Sequence, residues 1–205
     1  WNVYSKQDGI KELYSSKILN SSVSLFAQAD FRLTMTDSLI DYDSENYAAL
    51  GIQGKGTAII SNSMIHGNLS TYPNSNAEVD LNNTSISYGL IHGQTWVNML
   101  NSTVEKNDDS SFYISDDSWV NILQSEFKGG MFLDKNTRTL IQNSKIDRLI
   151  ACDNAKVTLN NSTIISHADF QDKATADATR VAFSGRDDFE YFLALNGQAT
   201  LGGRD

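Results

Sequence analysis

The sequence predicts an all-β protein: a right-handed parallel β-helix, a solenoid of about 18–25 residues per coil with an internal Asn/Ser ladder. Two observations lead there. The first is an internal repeat. The phrase Val157-Thr158-Leu159-Asn160-Asn161-Ser162-Thr163-Ile164 is echoed by residues 79–86, 97–104 and 120–127, and looser copies end at Val23, Ile40, Ile65 and Ile146. Aligned on one hydroxyl residue, the copies read Ser21, Ser38, Ser63, Thr84, Ser102, Ser125, Ser144 and Ser162, at intervals of 17 to 25 residues. The second is period two within each copy. Val120 and Ile122, or Val157 and Leu159, alternate with polar residues, as in a strand with one buried face.

Each element of the coil follows from a column of that alignment. Three places before the hydroxyl stand Ile18, Met35, Ile60, Leu81, Met99, Ile122, Ile141 and Leu159, and two places after it stand Val23, Ile40, Ile65, Ile86, Val104, Phe127, Ile146 and Ile164. These are the inward positions of two strands. Between them, at a corner, lie Asn20, Asp37, Asn62, Asn83, Asn101, Gln124, Asn143 and Asn161. An amide stacked on the amide of the next coil can donate one bond and accept another, so this column is expected to form the ladder, weakest at Asp37 and Gln124. A further strand is signalled by Phe112 and Ile114, Met131 and Leu133, Leu149 and Ala151. Leucine-rich repeats are excluded because their extra leucines and helical return are missing.

The ends and insertions are less regular. Residues 1–14 do not fit the repeat and are read as part of a preceding coil. Three insertions, 41–56, 66–76 (with the only proline, Pro73) and 105–118, are expected to bulge as loops that carry function. Residues 166–180 are expected to leave the repeat as a short helix or excursion, after which 181–183, 192–195 and 199–201 resume the alternation. The whole chain, 1–205, is read as one β-helix domain, and Trp1 in first place is expected of a fragment or processed chain.

Composition narrows the function. A net charge of −9 provides no basic face for phosphates, which argues against nucleic acid as a partner. The single cysteine, Cys152, cannot form an intrachain disulfide. Candidate catalytic carboxylates are Asp108, Asp109, Asp116, Asp117, Asp187 and Asp188, but the first four share one segment instead of stacking on successive strands, as glycoside hydrolysis on this scaffold would need. His66-Gly67 and His92-Gly93 are read as turn residues. No spacing suits calcium or zinc, so neither metal nor cofactor is expected. The sequons, such as Asn101-Ser102-Thr103, arise from the repeat itself, and amides held in a ladder would be closed to a glycan.

The outward columns carry the candidate binding site. Glu78, Trp96, Trp119, Arg138 and Lys156 stand six places before the hydroxyl on consecutive coils, and alternation turns them to solvent. Stacked tryptophans beside charged groups suit a glycan or a protein partner. Tyr113, Asp116 and Asp117 of the adjoining segment would supply a polar rim, so the expected site is Trp96, Trp119, Tyr113, Asp116, Asp117 and Arg138. Tyr113, Phe132 and Ile150 form a second outward apolar strip.

The repeated phrase, the near absence of cysteine and the acidic, Asn/Ser/Thr-rich composition resemble bacterial autotransporter passenger domains, the pertactin-like and self-associating adhesin branch above all, over roughly residues 15–165. That resemblance implies export to the bacterial cell surface, attached to the outer membrane through a translocator barrel outside this chain. It also implies a non-catalytic role: adhesion to host matrix protein or glycan, self-association with another copy, cell aggregation and biofilm formation. The alternative is a polysaccharide-processing β-helix enzyme or a phage tailspike-type protein.

Overall fold

The computed structural model describes residues 3–5, 9–19, 23–42, 48–105, 111–184 and 193–204. Its described elements are strands, paired in parallel and stacked coil on coil as a β-solenoid. Three faces recur in each coil. On the first, Trp96–Leu100 sits between Asn76–Asn82 and Trp119–Leu123, and the stack continues through Arg138–Gln142, Lys156–Asn160 and Thr175–Thr179 to Thr200–Arg204. On the second, Thr103–Val104 stacks between 85–86 and 126–127. On the third, Phe112–Ile114 stacks between 89–91 and 131–133. The inward columns meet along the axis. Val79, Val97, Val120 and Val157, with Ile86, Val104, Phe127 and Ile146, are buried among Phe112, Met131 and Leu149. Each such side chain contributes about 1.5–3 kcal/mol by leaving water. Packing is tight enough that a Cβ at Gly89 would stand 2.5 Å from the Phe112 ring, so only glycine fits beneath it.

The corner between the first two faces splits the expected ladder into two devices. Its hydroxyls point inward. Ser102 N–H donates to Ser125 Oγ, Ser125 N–H to Ser144 Oγ and Ser144 N–H to Ser162 Oγ, at 3.1 to 3.2 Å, while each hydroxyl donates to the carbonyl two residues earlier, as Ser125 does to Leu123 at 2.7 Å. The amides point outward. Asn83 Nδ2 donates to Asn62, Asn101 Nδ2 to Asn83 and Asn161 Nδ2 to Asn143, at 2.9, 3.3 and 2.7 Å, in two stretches on either side of Gln124. All are exposed. The deeper reason for asparagine is backbone shape: Asn62, Asn83, Asn101, Gln124, Asn143 and Asn161 have φ between 46° and 50°. Asn tolerates this left-handed conformation better than most residues. The internal ladder is therefore the hydroxyl column, and the sequon asparagines Asn82, Asn101 and Asn161 are open to solvent.

Three further expectations are corrected. Asn20 and Ser21 lie outside the described residues, and the serine stacked on Ser38 is Ser16, whose N–H donates to Ser38 Oγ at 3.1 Å, with Ile18 opposite Ile40. Residues 166–180 belong to a coil and are not an excursion, since Thr163–Phe170 pairs with the coil before across one register shift after Ile146, and Thr175–Thr179 pairs with it in continuous register. Its corner is spelled Arg180-Val181, with Arg180 at φ 52°, which hid the repeat. The inserted segments contribute strands: Leu50–Ser61, Met64–Thr71 and Phe112–Ile114 all pair with neighbouring coils, while 43–47 and 106–110 lie outside the described residues. Gly9–Tyr14 pairs with residues 31–36, which agrees with its expected place in a preceding coil.

Candidate functional site

A tight turn joins the third face to the first, and it builds the site. In successive coils the turn carries Gly93, Asp116, Lys135, Asp153 and Asp172 with φ between 54° and 82°. One residue further on stand Gln94, Asp117, Asn136 and Asn154, then a small buried residue (Thr95, Ser118, Thr137, Ala155), then the outward column Trp96, Trp119, Arg138, Lys156. Because the residue between the two outward columns is small and turned inward, the side chains on either side stand up as walls. The result is an open trough of about 680 Å³ running along the solenoid axis, lined by those two columns.

One wall is a π-stack. The Trp96 and Trp119 rings lie 4.6 Å apart at 16°, and the Arg138 guanidinium carbon continues the stack 4.6 Å from the Trp119 centroid. This spacing nearly equals the distance between β-strands of about 4.8 Å, so the ring normals run along the axis and the rings show their edges to the trough. Trp96 and Trp119 remain 47% and 37% exposed. Trp96 also borders a second recess of about 380 Å³ with Lys55, Asn76 and Glu78, which leaves its outer face open. The opposite wall is polar: Asn136 Nδ2 donates to Asp117 at 3.1 Å, and Asn154 Nδ2 to Asn136 at 3.3 Å.

Of the six residues expected at the site, Trp96, Trp119, Asp117 and Arg138 line this trough. Tyr113 and Asp116 do not. Tyr113 belongs to the third face, stacked on Phe132 at 5.3 Å and donating its hydroxyl to Asp134 at 2.8 Å. Burial, with that bond to Asp134, raises its pKa. Asp116 lies around the turn, where it accepts bonds from Gly93 N–H at 2.9 Å and Lys135 Nζ at 2.6 Å. Burial works to raise its pKa, but Lys135 and the Gly93 amide outweigh it and hold the carboxyl below its ordinary value. His92, tilted against Tyr113 at 5.6 Å, is held below its ordinary value by burial, against the pull of Asp116. Period two places alternate residues on opposite faces, but a turn of unrecognised shape separates Tyr113 from Trp119. Gln94, Asn136 and Asn154 were the residues missed, and their constant distance of two from the tryptophan column was the available signal.

Other candidates fall away. Asp108, Asp109, Asp187 and Asp188 lie outside the described residues. The two His-Gly pairs occupy different corners: His66 bonds Asp41 on the second face at 2.7 Å, whereas His92 opens the turn into the first. Burial and the carboxylates of Asp134, Asp172, Asp169 and Asp153 push the Cys152 thiol up to about 11, which leaves it unreactive near neutrality. Comparison with protein-family models found no match, and comparison with curated proteins found none either.

Proposed function

We propose that this chain is the adhesive, non-catalytic part of a bacterial surface adhesin, an autotransporter-type passenger, and that it holds glycan along the trough of Trp96 and Trp119. The observation that carries this reading is the trough itself: a shallow channel along the axis with aromatic groups on one wall and hydrogen-bonding amides on the other, rung after rung. Amides donate and accept, which suits a chain of hydroxyls. The floor lies over backbone already paired between coils, so no free edge is offered there for a peptide strand. Attachment to host matrix, aggregation between cells and residence at the cell surface follow from this reading and from the resemblance of the repeat.

Glycan-array binding by the wild type and by Trp96→Ala/Trp119→Ala is the test. The double variant is expected to lose binding while its circular dichroism stays that of the solenoid. Normal binding by the variant would make the tryptophan stack purely structural.

One observation favours a second reading, a polysaccharide-processing enzyme. Hydrolysis requires two carboxylates about the scissile bond. Asp117 lines the trough and Glu78 the recess beyond Trp96, so two acids border the same aromatic wall. Release of reducing sugar from a bound polysaccharide, lost in Asp117→Asn, would establish that reading instead.

A further inference from the structure

Three lysines of this solenoid are neutralised across coils. Lys128 pairs with Glu105, Lys135 with Asp116 at 2.6 Å and Lys145 with Glu126 at 3.1 Å. Arg138 and Lys156 depart from the pattern. They stand side by side on successive rungs of the trough wall, and among the described residues neither has a carboxylate partner. The Arg138 guanidinium lies against the Trp119 ring. Lys173 extends the opposite wall beyond Asn154 and is likewise unpaired among the described residues. The chain has 25 acidic residues against 16 basic ones, so partners are not scarce. Like charges directly opposite each other on paired strands repel. An anion seated between Arg138 and Lys156 would remove that repulsion.

We infer that the trough takes an acidic oligosaccharide, laid along the axis, with a carboxylate or sulfate held by Arg138 and Lys156. This rests on the glycan reading above and specifies the class of sugar. One face of the Arg138 guanidinium is against Trp119, which fixes the group and leaves its N–H edge for the planar, two-point bonding that an oxyanion prefers. Charge also sets the direction of the ligand. The coil of Trp119 presents Asp117, whose carboxylate repels an acidic sugar, so the neutral units lie toward Trp96 and Gln94 and the acidic one at the far end. Asp153 and Asp172 belong to the turn column that contains Lys135, not to either wall.

The test is calorimetric titration of the chain with oligogalacturonate (carboxylate), a heparin-derived oligosaccharide (sulfate), a neutral cello-oligosaccharide and a poly-glutamate peptide. Wild type is expected to bind at least one acidic sugar about tenfold or more tightly than the neutral one, with affinity that falls as salt rises. The tighter of the two acidic sugars identifies the anionic group. Arg138→Gln/Lys156→Gln should abolish the preference for acidic over neutral sugar, with a much larger loss of acidic-sugar than of neutral-sugar affinity, and keep the dichroism of the fold. Equal affinity for acidic and neutral sugars, or full retention by the double variant, would overturn the inference while leaving a glycan trough in place. Poly-glutamate bound as tightly as the acidic sugars would overturn it in favour of charge attraction alone. No glycan binding at all would instead remove the proposed function.

Discussion

Replacing Ser125 by alanine separates the two devices at the solenoid corner. Ser125 Oγ accepts the Ser102 N–H at 3.1 Å and donates to the Leu123 carbonyl at 2.7 Å, in a buried setting. Removing it leaves the Ser102 N–H without an acceptor and without water. An orphaned buried donor costs about 1–3 kcal/mol, which corresponds to about a fivefold to 140-fold loss at one factor of ten per 1.4 kcal/mol. Asn101, one residue before Ser102, offers the contrast. Its amide bond to Asn83 is exposed and 3.3 Å long, worth about 0.5 kcal/mol, and its φ of 50° is the more demanding feature. Asn101→Ala should cost about 1–2 kcal/mol, the penalty of a left-handed backbone for an ordinary residue, whereas Asn101→Gly should stay within about 1 kcal/mol of wild type because glycine accepts that φ freely. Hydrogen exchange reads the local effect and urea denaturation the total. Ser102 should lose protection in Ser125→Ala and keep it in Asn101→Gly. Unchanged protection in Ser125→Ala, or an Asn101→Gly as costly as Ser125→Ala, would refute the division of labour.

Thr139 occupies a column of valines, buried, with Oγ1 lacking a hydrogen-bond partner among the described residues; Thr139→Val should raise stability by about 1 kcal/mol in urea denaturation, and a loss would reveal a partner for the hydroxyl. His92 binds a proton less readily in the fold than when unfolded, so its contribution is present above its ordinary value near 6.5 and is lost as the pH falls through that value. Melting temperature should therefore decline between about pH 7 and pH 5, less steeply in His92→Gln. The depressed Asp116 carboxyl acts in the same direction at lower pH, since stability from a lowered acid is lost as the pH falls toward its folded value.

Sequence periodicity carried the architecture because each coil buries its own alternate residues against identical neighbours. Met99, Ile122, Ile141 and Leu159 therefore sit at one offset, and all are buried. The stacking of Trp96 on Trp119 followed from the same arithmetic. Legibility failed where the pattern depended on backbone shape. The left-handed corner accepts Ser15, Gln124 and Arg180 as well as Asn, so the first and last coils were hidden by unfamiliar spelling, and Ser21 took the place of Ser16. The turn before the tryptophan column is not spelled uniformly: Gly93 and Lys135 share its conformation with Asp116, Asp153 and Asp172. That is why Tyr113 and Asp116 were grouped with a trough they do not line, and why Gln94, Asn136 and Asn154 went unnoticed. The amide ladder was seen correctly as a stack but placed inside, because alternation alone does not say which way a corner residue points.

The central claim is that one axial trough is the binding surface, and hydroxyl-radical footprinting of the chain with and without a saturating glycan tests it most directly. Protection should fall on Trp96 and Trp119, extend to Arg138 and Lys156 on the same wall, and spare the stacked Tyr113 and Phe132 of the third face. Protection centred on Tyr113 and Phe132, with Trp96 and Trp119 as reactive as in the free chain, would contradict it.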